Sequence, residues 1–308
     1  MIVGYTAGSP THEGVLWTNL TRTEIASGLA AEGFNVSVTV VDRLLEEHDL
    51  RKRKAEKTKT MGDTPHRDAQ FRQIARLRQE YLDEGAPVLS LDTKKREILG
   101  DFARPGRVWT RTPLRAWDHD FRSHATGVLI PQGIYDVGRN EGYLELGTSR
   151  DTSDFAFDVL WGWWCLHGCR HYRRAERLLL LCDSGGSHSC RRWRFKELLQ
   201  EFADATRLEV RVAHYPTHCS KYNPIEHRLF PYVTKAWQGV LLDNVEWAKT
   251  LLNRATTKTG LVTYAELRTT DYPLGVKASD DFLANMPIRF DNVLPVWNYR
   301  ALPRPSRN

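Results

Sequence analysis

No apolar run in this 308-residue chain approaches the roughly 20 residues that a membrane-spanning helix needs, which excludes an ordinary helical membrane protein. The amino end, MIVGY, has neither the basic start nor the apolar core of a secretion signal, so the expected location is the cytoplasm. Cysteine is scarce and odd in number, with five residues at Cys165, Cys169, Cys182, Cys190 and Cys219, and a disulfide framework is not expected. CLHGCRH, from Cys165 to His171, offers suitable zinc donors, but its spacings fit no standard finger and a helix end followed by a loop explains it better. What the chain does have is enough length for one large domain plus a small one, and a hydrophobic share of 41% that can build a core. Its 44 Lys and Arg against 38 Asp and Glu leave a formal charge of +6, which favours a polyanionic partner without naming one.

Residues 1 to 60 read as a small helical region. Up to Trp17 the text is rich in Gly, Thr, Ser and Pro and shows no period. Thr21 and Glu24 then have capping-box spacing, and Ile25, Leu29 and Ala30 form an apolar face that stops at Gly33. Ser37 can cap a second helix to about His48, with Val40, Val41, Leu44 and Leu45 inward. Helix, Gly turn, helix is the helix-turn-helix pattern, and a plain helical hairpin fits it equally well. On the first reading Thr39, Asp42 and Arg43 lie on the exposed face of a recognition helix. The basic tail after it, with Arg51, Lys52, Arg53 and Lys54, can neutralise phosphates or act as a solvated linker. From 61 to 86 a connecting helix is expected, with Phe71, Ile74, Leu77 and Tyr81 on one face and Gly85 to Pro87 ending it.

Residues 87 to 308 read as an α/β domain. PVLSLD is a compact apolar strand ending on Asp92, which taken alone is more often a turn or cap residue than a catalytic acid. Arg104 to Ser123, rich in Arg, Pro and Trp, has no period and reads as an insertion or long loop. Gly133 to Tyr135 and Tyr143 to Leu146 form a hairpin, within whose turn Asp136 and Glu141 are acidic alternatives to Asp92. Asp151 or Thr152 caps an aromatic-rich helix to about Leu166. LLLLCDSGGSHS then places Asp183 at the end of a buried strand, followed by a helix to Thr206 and a strand from Glu209 to His214. In THCSKYNPIEHRLFPYV, Asn223 can cap a helix, Pro224 suits its first position, and Glu226 lies in its first turn. A carboxylate at the carboxyl end of a strand usually faces the functional edge of such a sheet, so Asp183 and Glu226 can converge. Lys258 in the Thr-rich ATTKTG can contact phosphate or merely turn, and Pro287 to Asn308 reads as irregular.

Asp183 with its following Ser-Gly-Gly-Ser-His, and YPTHCSKYNPIEHRLF, resemble the second and third acidic blocks of DDE transposases. Mariner-like and related insertion-sequence enzymes have a similar Asn-Pro-x-Glu block, and the Rhodopirellula-type DDE transposase family is the closer resemblance. It extends through LDTKKREILGDF, PQGIYDVGRNEGYLELGTSRDTSDFA, ATTKTGL and the terminal WNY, from about Asp63 onward. The resemblance implies a ribonuclease-H-like mixed sheet flanked by helices and preceded by the helix-turn-helix region. It further implies an insertion-sequence transposase with Asp92, Asp183 and Glu226 as catalytic metal ligands. Two Mg²⁺ ions, or Mn²⁺, spaced about 3.5–4 Å apart would serve phosphoryl transfer. The expected partner is double-stranded DNA, at transposon ends and target, contacted by Thr39, Arg43, Arg51, Lys52, Arg53, Lys54, Lys221 and Lys258, with the protein a homo-oligomer on the ends. Members of the family usually carry more chain ahead of the first helix, a departure that would leave a DNA-end-binding module missing. Another metal nuclease of the same fold, or an inactive DNA-binding relic, is the alternative.

Overall fold

The computed structural model describes residues 7–8, 16–18, 20–53, 65–119, 121–254, 257–258 and 260–305. It divides into two compact units, Met1–Thr60 and Met61–Asn308.

In the first unit β1 (Ala7–Gly8) pairs antiparallel with β2 (Leu16–Trp17). Helix α1 (Arg22–Ala31) starts on the capping box its sequence announces, the Thr21 side chain meeting the Glu24 amide while the Glu24 carboxylate takes the Thr21 amide. Gly33, at φ 92°, makes the left-handed turn that a residue with Cβ resists. Ser37 then caps α2 (Val38–Glu47), accepting from the Val40 amide at 3.3 Å. The pair is joined by Ile25 and Val41, both buried, and by an ion pair from Arg22 to Asp42 at 2.8 Å.

The second unit opens with α3 (Arg67–Asp83), whose Ile74, Leu77 and Tyr81 are buried with Val88, Leu179 and Leu181 of the sheet beneath. Strands β3 (Val88–Thr93), β4 (Glu97–Leu99), β5 (Gly127–Asp136) and β6 (Glu141–Gly147) follow. Next come α4 (Ser153–Trp163), a π-helical turn at Trp164–Gly168, α5 (Cys169–His171), β7 (Arg177–Cys182), α6 (Trp193–Thr206) and β8 (Glu209–His214). The remaining elements are α7 (Pro224–Arg228), α8 (Phe230–Ala236), α9 (Val245–Asn253), β9 (Val262–Arg268), α10 (Asp280–Asn285), β10 (Arg289–Phe290) and β11 (Asn298–Ala301).

One mixed nine-stranded sheet runs β10-β11-β8-β7-β3-β5-β6-β9, with β4 paired to β5. β3, β7 and β8 are parallel neighbours, while β5 and β6 return antiparallel. Taken in chain order, the five central strands β3, β5, β6, β7 and β8 stand third, second, first, fourth, fifth across the sheet, which is the ribonuclease-H-like arrangement. The chain leaves β3 towards β5 on one side and reaches β7 on the other, so a crevice opens at the carboxyl ends of β3 and β7. β3 and β7 are buried along nearly their whole length, as VLSLD and LLLLC require of strands covered on both faces. One face is filled by α4 and α6 through Phe155, Leu160, Phe195, Leu199 and Phe202, and the other by α7 to α9 through Ile225, Phe230, Val233, Trp237 and Leu252.

The Pro287–Asn308 stretch, expected to be irregular, departs from expectation, and a further strand closes the opposite edge. Val262–Arg268 is a strand parallel to β6, and the carboxyl-terminal stretch contributes β10 and β11, the latter antiparallel to β8. β10 and β11 are short segments whose strand character comes from the neighbours they pair with rather than from their own pattern.

Candidate active site

The register pairs Leu91 of β3 with Cys182 of β7, so the next residues, Asp92 and Asp183, leave adjacent parallel strands side by side. Asp92 is buried, and its Oδ1 accepts the Thr93 amide at 2.8 Å. Asp183 Oδ1 accepts the Gly185 amide at 3.2 Å, so the glycine turn after β7 aims the carboxylate. Neither acid is in an ion pair among the described residues. Burial, with the Asp183 charge beside it, pushes Asp92 up to about 8, and burial pushes Asp183 up to about 6.

Glu226 reaches this place because α7 is fastened to β3. Asn223 and Pro224 open the helix, but the Asn223 side chain does not cap it; its Nδ2 donates to the Leu91 carbonyl at 3.1 Å and its Oδ1 accepts from Ser90. Ser90 Oγ in turn accepts the Ile225 amide at 2.9 Å. The sheet must be bare beneath the helix. Gly133, the register partner of Asp92, has Ile225 Cδ1 only 2.8 Å and Phe230 Cε1 2.9 Å from where a Cβ would stand. Glu226 is half-buried, its pKa raised by burial, and its charge raises both Asp92 and Asp183. The three acids therefore share one electrostatic neighbourhood at the crevice.

Two further residues belong to it. One ligand atom each of Asp92, Asp183 and His188 lies within 4.8 Å of the others. His188, in the 3-10 turn Gly186–His188, is buried, which lowers its pKa to about 4 and keeps it neutral. Its Nε2 stands 3.0 Å from Gln132 Nε2, and Gln132 Oε1 accepts from Thr93 Oγ1 at 2.7 Å. An amide nitrogen can only donate, so His188 Nε2 accepts and its proton sits on Nδ1, 3.2 Å from Ser187 Oγ. Asp151, which precedes the observed cap Thr152, faces Thr93 Oγ1 at 3.1 Å and raises both aspartates. The final His of DSGGSH is a legible signal for His188, whereas Asp151 looks in the sequence like one more helix cap.

Asp136 and Glu141 sit at the other end of their strands. Asp136 is buried, bonded to Tyr172 Oη at 2.8 Å and to the Gly138 and Arg139 amides at 3.1 Å, and Glu141 pairs with Arg139 at 2.9 Å. Both are held as turn and core residues. Behind Asp183, its carbonyl lies 2.8 Å from His214 Nδ1, while His214 Nε2 meets Tyr299 Oη at 2.8 Å. A carbonyl only accepts, so Nδ1 carries the proton and Tyr299 donates to Nε2. The WNY segment is thus wired to the second acid.

The residues expected to contact DNA fall in several places. Thr39 and Arg43 are exposed on α2, Arg43 pairing with Glu47 at 3.6 Å, but Asp42 is half-buried and tied to Arg22. Arg51 and Arg53 share Asp49 at 3.7 and 3.8 Å, Lys52 is exposed, and Lys54 lies outside the described residues. In the second unit Lys221 is exposed with Nζ 5.1 Å from the Tyr222 ring centre, and Lys258 is exposed in a turn. In CLHGCRH, Cys165 and Cys169 are free and exposed, and His167 packs on Tyr143 and Tyr264. No described helix is long and apolar enough to cross a membrane.

Comparison with known proteins bears on this site. Among curated proteins none matches the chain. Solved structures similar to it include a Mos1 transposase paired-end complex with the left transposon end, at 15% identity and TM-score 0.47, covering 80% of this chain and 73% of that one. The Mos1 mariner paired-end complex with Mn is similar at 17% identity and TM-score 0.46, covering 76% and 66%. The corresponding complex with Mg is similar at 14% and 0.47, covering 80% and 73%. The family described as the Rhodopirellula transposase DDE domain matches residues 1–303, and the chain belongs to that family.

Proposed function

We propose that this chain is a metal-dependent DNA transposase that cuts the ends of an insertion sequence and joins the freed 3′ hydroxyl to target DNA. The observation that carries the reading is the meeting of Asp92 and Asp183 at the ends of β3 and β7, with the charge of Glu226 on α7 acting on both, in a member of a transposase DDE family.

The donor set fits hard divalent cations. Asp92, Asp183 and Glu226 offer carboxylate oxygens, none in an ion pair among the described residues, and burial disfavours their charge until something positive arrives. Asp92 and Asp183 would hold one ion between them and Glu226 would complete the set for a pair, with Mg²⁺ the expected ion and Mn²⁺ a substitute. When bound, such ions relieve charge on the phosphoryl oxygens and supply an activated oxygen nucleophile. The protein's own share is positional. β3 and β7 fix two carboxylates, the Asn223–Ser90 fastening fixes the third, and the neutral His188 with Gln132 holds the Thr93 corner. Water attack at the transposon end breaks the P–O3′ bond and frees the 3′ oxygen, and that oxygen attacks the target phosphorus in line and displaces the target strand's own 3′ oxygen, with no covalent enzyme intermediate. Lys221 and Lys258 in this unit, and Thr39, Arg43 and the 51–54 tail in the other, are proposed to bind the duplex, with a homo-oligomer assembling on the ends.

Strand cutting of DNA that carries the gene's own flanks, with and without Mg²⁺, tests the reading. Asp92→Asn and Asp183→Asn should each abolish cutting and weaken Mn²⁺ binding while leaving the fold intact. A folded Asp92→Asn protein that cuts at the wild-type rate would remove Asp92 from the site and the proposal with it.

A further inference from the structure

The segment between β4 and β5 is unlike the rest of the second unit. Its two ends are anchored: the Gly100 amide donates to the Leu242 carbonyl at 2.7 Å, Phe102 is buried, the Gly239 amide reaches the Pro105 carbonyl at 3.2 Å, and Trp117 stacks on His124 at 4.4 Å. Its middle is bare. Trp109 is 104% exposed, touching nothing that would shield its ring, and Phe121 is 47% exposed. Flanking these aromatics along the chain are Arg107, Arg111, Arg115 and Arg122, all exposed and none in an ion pair among the described residues. From 103 to 124 the sequence holds five Arg and only two acids, Asp118 and Asp120.

The place of this loop matters. β5 begins at Gly127, six residues before Gly133, which is the register partner of Asp92, so the loop springs from the same end of the sheet as the acids. At ~3.4 Å per strand residue its roots stand about 20 Å beyond Asp92 along β5. That is of the order of the width of a duplex.

We propose that the loop from 103 to 124 is a DNA-holding surface, its arginines neutralising backbone phosphates and Trp109 stacking on an unpaired base of the DNA held at the acids. This rests on the transposase reading and adds a second grip, with its own chemistry, beside the cutting site. A lone aromatic face suits an unpaired base because the bases of an intact duplex have both faces covered. Guanidinium groups with no acid of their own suit phosphate, and the loop's excess of positive charge favours DNA over a second copy of this +6 chain.

The test is equilibrium binding of the full chain, in EDTA so that no strand is cut, to a 30-bp blunt duplex and to the same duplex ending in a single-stranded fork. Trp109→Ala should weaken fork binding by about tenfold and leave blunt binding within about twofold, in line with the removal of one base stack. Replacing Arg107, Arg111 and Arg115 together by Ala should reduce the slope of log K against log salt by about 3, at roughly 0.9 per neutralised phosphate. Unchanged fork affinity and unchanged slope in variants that melt like wild type would overturn the inference. So would loss of self-association in sedimentation with DNA binding intact, which would make the loop a contact between copies. Mg²⁺-dependent cutting is scored separately. If the loop variants bind normally and still cut, only the loop inference fails, and if the wild type binds as expected but never cuts, only the transposase reading does.

Discussion

His214 never meets solvent, yet it holds the carbonyl of Asp183 with one nitrogen and Tyr299 with the other. Burial pushes its pKa down to about 3, so the ring is neutral and the direction of both hydrogen bonds is fixed. Removing it leaves a buried carbonyl and a buried phenol unpartnered, at a cost of about 1–3 kcal/mol. His214→Ala is therefore expected to lower stability and also weaken Mn²⁺ binding at the acids, whereas His214→Asn, which keeps a donor, should recover part of the metal affinity. Equal metal affinity in all three proteins would reduce His214 to a packing residue. Lys196, nearby, has Nζ bonded to the Cys190 carbonyl and lying 4.6 Å from the Tyr299 ring centre. Burial lowers its pKa from 10.5 to about 8, so the folded state binds its proton less well than the unfolded chain. Its contribution to stability is then fully present above the unfolded pKa and is lost as pH falls towards about 8. Thermal melts between pH 7 and 11 should show a rise through this window that Lys196→Met removes; an identical profile in the variant would contradict the assignment.

At the scale of elements, the site depends on how closely α7 and α8 lie on the sheet. Gly133 and Gly142 make that approach possible, since a Cβ on Gly142 would stand 2.4 Å from Leu229 Cδ1 and one on Gly133 only 2.8 Å from Ile225 Cδ1. Gly133→Val should lift α7 from β3, destabilise the domain by about 1–3 kcal/mol and displace Glu226, so cutting falls more than DNA binding does. Ile225→Ala in the same protein should restore part of both. Parallel losses of stability alone, with the cutting rate per folded molecule unchanged, would show that Glu226 tolerates the shift. The strands that carry Asp92 and Asp183 are legible in the sequence because each is a short apolar run ending on an acid, and the start of α7 is legible in Asn-Pro-x-Glu. Asn223 has the look of a cap, but with Ser90 available beneath it the side chain binds the sheet instead, a choice that only the tertiary neighbour makes. β11 is not legible for a related reason: NYRA becomes a strand by pairing with β8. Asp151, unlike the His188 that ends DSGGSH, does not stand out in the sequence as a member of the site because its partner, Thr93, lies 58 residues away.

Across the whole chain, the formal charge of +6 suits a polyanionic partner, and the first unit ends in the basic tail that follows α2. If that tail meets phosphate, replacing Lys52, Arg53 and Lys54 by Ala should weaken duplex binding and flatten its salt dependence, by roughly 0.9 in slope for each phosphate no longer neutralised. An affinity that is already flat between low and moderate salt in the wild type would contradict this. The central claim concerns the acids, and Glu226→Gln tests it most directly, because the change keeps size and hydrogen bonding while removing the charge that a divalent ion needs. Three quantities should be measured on one preparation: thermal unfolding, duplex binding, and Mg²⁺-dependent strand cutting. The expected result is a protein that melts and binds like wild type but does not cut. A Glu226→Gln protein that is folded and cuts at the wild-type rate would contradict the claim that Asp92, Asp183 and Glu226 form one metal-binding catalytic site.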